Sequence, residues 1–283
     1  MKNIIFSITI IFGLGALQTG CTDSGRLDEV LAAQSEDIQA RYVYRNPKAT
    51  LEFLGVKPGM TVVEVLPGGG WYSKILIPYI GPEGALIGAD YPYDMLPKFG
   101  FYSDEQLAKR KTWTTDWPVE AGSWYDRDAA DVSAFVLGTL PAELHGKADV
   151  ILFIRALHNL HRFENDGGYF TTTLREAYAV LKPGGILGLV QHQAAEDMPD
   201  DWAQGGKGYL KKSLVIAKLT EAGFEFIDES PINHNPKDQP TTDDIVWRLP
   251  PNYFTSRKDA ELHAKYEAIG ESNRMTLKFR KPE

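Results

Sequence analysis

The chain has 283 residues and a formal charge of −8, and it is 43% hydrophobic and 24% charged, the proportions of a soluble globular protein with enough length for one full core. An acidic balance disfavours a protein that works by neutralising nucleic-acid phosphates. A single cysteine excludes internal disulfides and thiolate zinc clusters.

Residues 4–17, IIFSITIIFGLGAL, form an apolar run behind Lys2. The run falls short of the roughly 20 residues that a bilayer span needs and suits the apolar stretch of a secretory signal. Gln18-Thr19-Gly20-Cys21 follows, placing the only cysteine directly after a small residue. This segment resembles a bacterial lipoprotein signal, with Gln18 where leucine is the rule. The resemblance implies a signal peptide over 1–20, a lipidated Cys21, a tether over 21–40 and one domain over 41–283. It also implies export and anchoring at the periplasmic face of the outer membrane.

Apolar residues recur at loosely helical intervals over 27–54, and Asn46-Pro47 opens a helix that stops at Gly55. Short apolar strands are predicted at 61–66, 85–89, 132–137, 149–154, 186–190, 224–228 and 275–280. Helix-like segments separate them, near 71–80, 103–113, 167–181 and 211–222. Lys182-Pro183-Gly184-Gly185 reads as a helix stop and turn. The alternation predicts an α/β fold with a doubly wound, mostly parallel seven-stranded sheet. Ligands of such sheets sit beyond the carboxyl ends of the strands. Residues 231–273 interrupt the last two strands with a Pro-rich connection and a helix over 256–269, a length that suits a lid or substrate loop.

The chemistry-bearing candidates lie at those strand ends. Glu64 sits inside the first strand, and Gly68, Gly69 and Gly70 follow it, residues without a Cβ that let backbone approach a ligand. Ser73 takes the third-glycine position of the dinucleotide fingerprint, which weighs against a nicotinamide enzyme. Asp90 ends the second strand, where a carboxylate can accept both hydroxyls of a ribose. His158 and His192 stand just past the fourth and fifth strands, as candidate bases near neutral pH, with Asn159 able to orient an acceptor. His158 and His161 have the spacing of a helical metal pair, but no third ligand is evident, and no metal is predicted.

VVEVLPGGG, GAD at 88–90, DVILFIRALHNL and LKPGGILGLV, in that order, resemble the motifs of class I S-adenosylmethionine-dependent methyltransferases. The nearest resemblance is to bacterial members with YRxP before KPGMTVVE and PGGGWY, an HN pair after the fourth strand and an LRFRKP-like end; Lys207-Gly208-Tyr209-Leu210 stands where that group has His-Arg. The resemblance covers residues 40–283 and implies a Rossmann-like methyltransferase fold with S-adenosylmethionine as cofactor. It implies that Gly68 and Gly70 contact the methionyl-ribosyl part. Glu64 would hold the loop or bind the amino group, and Asp90 would take the ribose. Gly138 and Thr139 would lie near adenine, and Arg155 would border the pocket. Trp71 offers an aromatic face to the sulfonium, with Tyr72 beside it. Trp247, Arg248, Tyr253 and Phe254 are candidates for acceptor contact. The expected partner is a small-molecule acceptor and not nucleic acid, with membrane association through Cys21. A non-catalytic binding lipoprotein on the same scaffold is the alternative, because the cofactor is made in the cytosol.

Overall fold

The computed structural model describes residues 23–283. The apolar run and Cys21, on which the signal and lipid anchor were expected, lie outside the described residues. The strands are β1 (Thr61–Val65), β2 (Ala85–Asp90), β3 (Asp131–Val136), β4 (Ala148–Ile154), β5 (Leu181–Ala194), β6 (Leu210–Lys211), β7 (Glu225–Ser230) and β8 (Arg274–Arg280). Seven of them follow the order β3-β2-β1-β4-β5-β8-β7, and short β6 pairs with the end of β5. β8 runs antiparallel to both neighbours; the pairings among β1 to β5 are parallel. This is the doubly wound, mostly parallel sheet that the alternation of strands and helices predicts.

The central strands are apolar on both faces because helices cover both. Val63, Val65, Ile151 and Phe153 join one buried cluster. Val62, Val150 and Leu152 join the other, with the helix Ser73–Ile80. Pro47 opens the helix Pro47–Leu54, and Gly55 closes it at φ 78°, the left-handed cap that glycine takes without a Cβ penalty.

Three sequence expectations need correction. The segment 21–40 was expected to be a tether, yet the helix Asp23–Ala32 buries Leu27 and Leu31 against the core. Gln34 beside it donates to the Lys74 carbonyl at 3.1 Å. Apolar residues four apart outweighed the polar composition. Lys182–Gly185 is not a turn before β5 but a bulge within it. Leu181 pairs with Ala148 and Ile186 with Val150, so four residues swell out opposite Asp149. The Asp149 carboxylate accepts from Lys182 at 2.5 Å and from the Thr61 N–H at 2.9 Å, which closes the bulge on β1. An eighth strand, β6, was not foreseen; two residues are too few to show a period.

The long connection is packed. Its helix is Ala260–Ile269. Buried Arg248 donates to Asp238 at 2.7 Å and to Tyr209 Oη at 2.8 Å. Asn235 donates to the carbonyls of Ile269 and Glu271 at 2.8 and 2.6 Å. These bonds fold the connection over the carboxyl edge of the sheet, where it can wall a site.

Candidate functional site

β1 and β4 are adjacent, and their onward connections lead to opposite sides of the sheet, which opens a crevice beyond their carboxyl ends. Each strand is followed by a non-glycine residue in the left-handed region, Leu66 at φ 56° and Arg155 at φ 59°. Such a conformation costs about 1–2 kcal/mol, and strain of this kind concentrates at functional sites. A last ladder bond holds each in place: Leu66 N–H to the Ala89 carbonyl at 2.8 Å, and Arg155 N–H to that of Val190 at 2.7 Å. The two turns throw 67–71 and 156–159 outward as the lips of a cleft of about 610 Å³. Trp247 and Leu249 of the long connection supply another wall, and Glu271 and Ser272 lie at its base.

Eight of the sequence candidates line this one cleft: Gly68, Gly69, Trp71, Arg155, His158, Asn159, His192 and Trp247. The others lie elsewhere. Glu64 is buried and accepts from Ser73 Oγ at 2.6 Å. Of its two expected roles this geometry serves the first, holding the glycine loop. Burial pushes its carboxyl up to about 7, against the pull of Ser73 and Arg155. Gly70 (φ 74°) lies under Trp124; a Cβ there would sit 2.3 Å from that ring. Asp90 does not line the cleft; Arg110 donates to its carboxylate at 2.7 Å. Gly138 and Thr139 line a separate hollow with Tyr169. The Gly138 N–H donates to Glu176 at 2.7 Å, so the adenine role implied for these two has no place in the main cleft. Trp71 does meet a cation, but it is Arg45, whose guanidinium lies 4.5 Å from the ring centroid. Tyr72 is buried packing, with its hydroxyl donating to the Arg45 carbonyl at 3.3 Å. His161 donates from Nδ1 to the Gln204 carbonyl at 3.0 Å; no metal-holding cluster occurs among the described residues.

The charge of the cleft was not visible in the sequence. Glu271, 3% exposed, is shared by four arginines. Arg45 donates at 2.9 Å, Arg274 at 2.8 Å and Arg155 at 3.4 Å, and Arg41 is also bonded to it. Burial alone would raise this carboxyl. Arg274, Arg155, Arg45 and Arg41 together outweigh it and hold it at about 2. Burial, with Arg155 nearby, draws Arg45 down to about 10. Four guanidinium groups thus share one carboxylate, which leaves this cluster with an excess of positive charge. Arg41 Nε and Arg274 Nε are buried without a hydrogen-bond partner. The arginines come from 41–45, 155 and 274, far apart in sequence, and no periodicity links them. Only the i,i+3 spacing of Glu271 and Arg274 is a local signal.

The two histidines face each other, with ring centroids 5.3 Å apart. Both are held neutral. Burial, reinforced by Arg155 and Arg162, brings His158 down to about 4 despite its bond to Gln191. Burial, then His158 and nearby arginines, take His192 well below its ordinary value. Gln191 was missed by the sequence reading. Its Nε2 donates to the Gly208 and His192 carbonyls at 3.0 and 3.2 Å, so Oε1 is the atom left facing His158. That oxygen accepts the His158 N–H and lies 3.3 Å from Nδ1. An acceptor at this distance places the proton on Nδ1 and the lone pair on Nε2. His192 Nδ1 pairs with Ser272 Oγ at 2.5 Å. Asn159 Nδ2 donates to Tyr91 Oη at 2.6 Å.

A second pocket of about 440 Å³ adjoins the cleft and shares Asn159, Trp247 and Asn252 with it. Tyr91, Phe99 and Phe254 are among its walls, with Arg162 and Arg257.

No family model matches the chain, and no curated protein matches it. Solved structures do. The cyclase SpnF is 20% identical, covering 85% of this chain and 81% of its own, with a TM-score of 0.48. A SAM-dependent methyltransferase from Aquifex aeolicus is 17% identical over 73% of this chain and 93% of its own, with a TM-score of 0.46. An arsenic(III) S-adenosylmethionine methyltransferase from Chlamydomonas reinhardtii is 14% identical over 91% of this chain and 73% of its own, with a TM-score of 0.46. The chain is similar to these in fold.

Proposed function

We propose that the protein is an S-adenosylmethionine-dependent methyltransferase acting on a small molecule. The observation that carries this reading is the convergence of Gly68, Gly69, Arg155, His158 and His192 on one cleft at the β1/β4 switch point. The residues fit the cofactor at its amino-acid end. A Cβ built on Gly69 meets nothing within 4 Å, so bare backbone faces the crevice. Arg41, Arg45 and Arg155 can take a carboxylate there. At its other end the ribose would take Asp90 by replacing Arg110 on that carboxylate.

When bound, S-adenosylmethionine supplies an electrophilic methyl group on a sulfonium sulfur. The chain supplies placement, worth up to about 7–11 kcal/mol in model reactions. His158 Nε2 takes the proton of the attacking atom, with Gln191 fixing the ring. Asn159, anchored on Tyr91, orients the acceptor. Export with a lipid on Cys21 belongs to the same proposal, and a Cys21→Ser chain should leave the membrane fraction of producing cells.

Calorimetry tests the reading. S-adenosylmethionine and S-adenosylhomocysteine should both bind the folded protein, and Asp90→Ala should weaken both at least tenfold. A folded protein that binds neither overturns it, and the non-catalytic alternative then gains.

A further inference from the structure

The pocket beside the cleft has a chemistry of its own. Six aromatic rings line it, from Tyr91, Phe99, Phe101, Tyr102, Trp247 and Phe254. Phe101 and Phe254 are 69% and 59% exposed. They come from two separate segments, one after β2 and one in the long connection, and both border this pocket. Large apolar side chains left in water on either side of a cavity are surface waiting to be covered. The only charged residues of the lining are Arg162 and Arg257; no carboxylate lines it. Neither guanidinium has an ion-pair partner among the described residues. Arg162 lies over the Phe163 ring at 4.7 Å and Arg257 over Phe254 at 5.3 Å. Asn159 and Asn252 add amide donors on the side shared with the cleft.

We propose that this pocket binds a planar aromatic acid, its ring among the six aromatic side chains and its carboxylate on Arg162 or Arg257, and that this is the class of the methyl acceptor. Rings of this size prefer edge-to-face or offset partners, which walls drawn from several directions provide. A guanidinium pairs a carboxylate through two parallel hydrogen bonds. A cationic ring would gain from the aromatic faces but would meet two unpaired arginines and the excess positive charge of the arginine cluster in the cleft. The shared wall puts the ligand's inner edge near Asn159 and so near His158. His158, a weak base, suits an acceptor whose own proton is acidic, such as a ring hydroxyl. The assignment as acceptor rests on the methyl-transfer reading; the ligand class of the pocket does not.

The probes are 2-naphthoate, its neutral analogue 2-naphthalenemethanol and the cation 2-naphthylmethylammonium. Binding is followed by tryptophan fluorescence and by ligand-observed NMR on the full folded chain, with and without S-adenosylmethionine. Naphthoate should bind at least tenfold tighter than the alcohol, and the cation most weakly. Arg162→Gln/Arg257→Gln should abolish the preference for the acid while leaving the alcohol unchanged. Phe101→Ala/Phe254→Ala should weaken acid and alcohol alike. All four positions are exposed, so unfolding is not the expected result, and circular dichroism verifies the fold. Equal binding of acid and alcohol, binding unaffected by either double substitution, or no binding under either condition overturns the proposal. Naphthoate binding of the expected pattern without S-adenosylmethionine binding keeps the pocket and removes the methyl transfer; the reverse keeps the transfer and removes the aromatic acid.

Discussion

Glu271→Gln is the substitution whose cost the structure fixes best. It removes one negative charge and keeps the shape, leaving four arginines around an amide. Glu271 is held at about 2 in the fold against an ordinary 4.5. At about 1.36 kcal/mol for each tenfold change in proton affinity, the gap makes ionised Glu271 worth about 3 kcal/mol to the folded state. Solvent takes little of this away, since the side chain is 3% exposed, and breaking a buried ion network falls in the same range. The sign follows from the lowered value. The contribution is complete above the unfolded pKa of 4.5 and is lost as the pH falls through 4.5 towards 2. Urea unfolding of the two proteins should therefore differ by about 3 kcal/mol at pH 7, and the difference should shrink steadily on acidification to pH 3. A difference below about 1 kcal/mol at pH 7, or one that does not narrow in acid, would show that Glu271 is not the counter-charge of this cluster.

The histidines give the opposite experiment at milder pH. The folded pKa of His158 is about 4, below its ordinary 6.5, so under pH 6.5 the unfolded chain takes a proton that the fold refuses. Wild type should lose about 2 kcal/mol more than His158→Gln between pH 8 and pH 5 in urea titrations; parallel curves would refute the neutral, buried ring. Arg110→Ala uncovers Asp90 by removing a partly exposed ion pair (Arg110 side chain 29% exposed), a contact worth about 1 kcal/mol. On the proposed function, calorimetry should show S-adenosylhomocysteine binding about fivefold tighter to this variant, and weaker binding would mean that Arg110 itself holds the ligand. Gln191→Met keeps the volume and removes the amide on His158. Nitrogen-15 NMR should show the His158 proton no longer confined to Nδ1, and an unchanged tautomer would take Gln191 out of the positioning role.

The parts of the fold governed by neighbouring residues were readable in the sequence. Pro47 and Gly55 bracket their helix because φ restriction and a left-handed cap act at single positions. The run 149–154 announces a strand with both faces covered. The bulge at Lys182–Gly185 was read as a turn because the same Pro-Gly-Gly chemistry serves both, and only pairing with β4 distinguishes them. In the site, residues just past strand ends were found by topology: Gly68, Trp71, Arg155 and His158; His192 reaches the same cleft, but from within β5, which runs on to Ala194 and not to 190 as expected, pairing His192 with Arg274. Arg41, Arg45, Arg274 and Glu271 were missed as a unit because their meeting is tertiary. Arg110 was missed for the same reason, so Asp90 looked free.

The insertion between β7 and β8 carries Trp247, Asn252, Phe254 and Arg257 of the aromatic pocket and Glu271 and Ser272 of the cleft, so one side of the pocket and the cleft's counter-charge travel on one contiguous stretch. A link between two antiparallel strands can lengthen at little entropic cost, about 0.6 kcal/mol per doubling, without disturbing the pairing beneath it. Such an arrangement separates the scaffold from part of its taste: exchanging residues 231–273 should alter ligand preference on one side of the pocket while the sheet stays as it was.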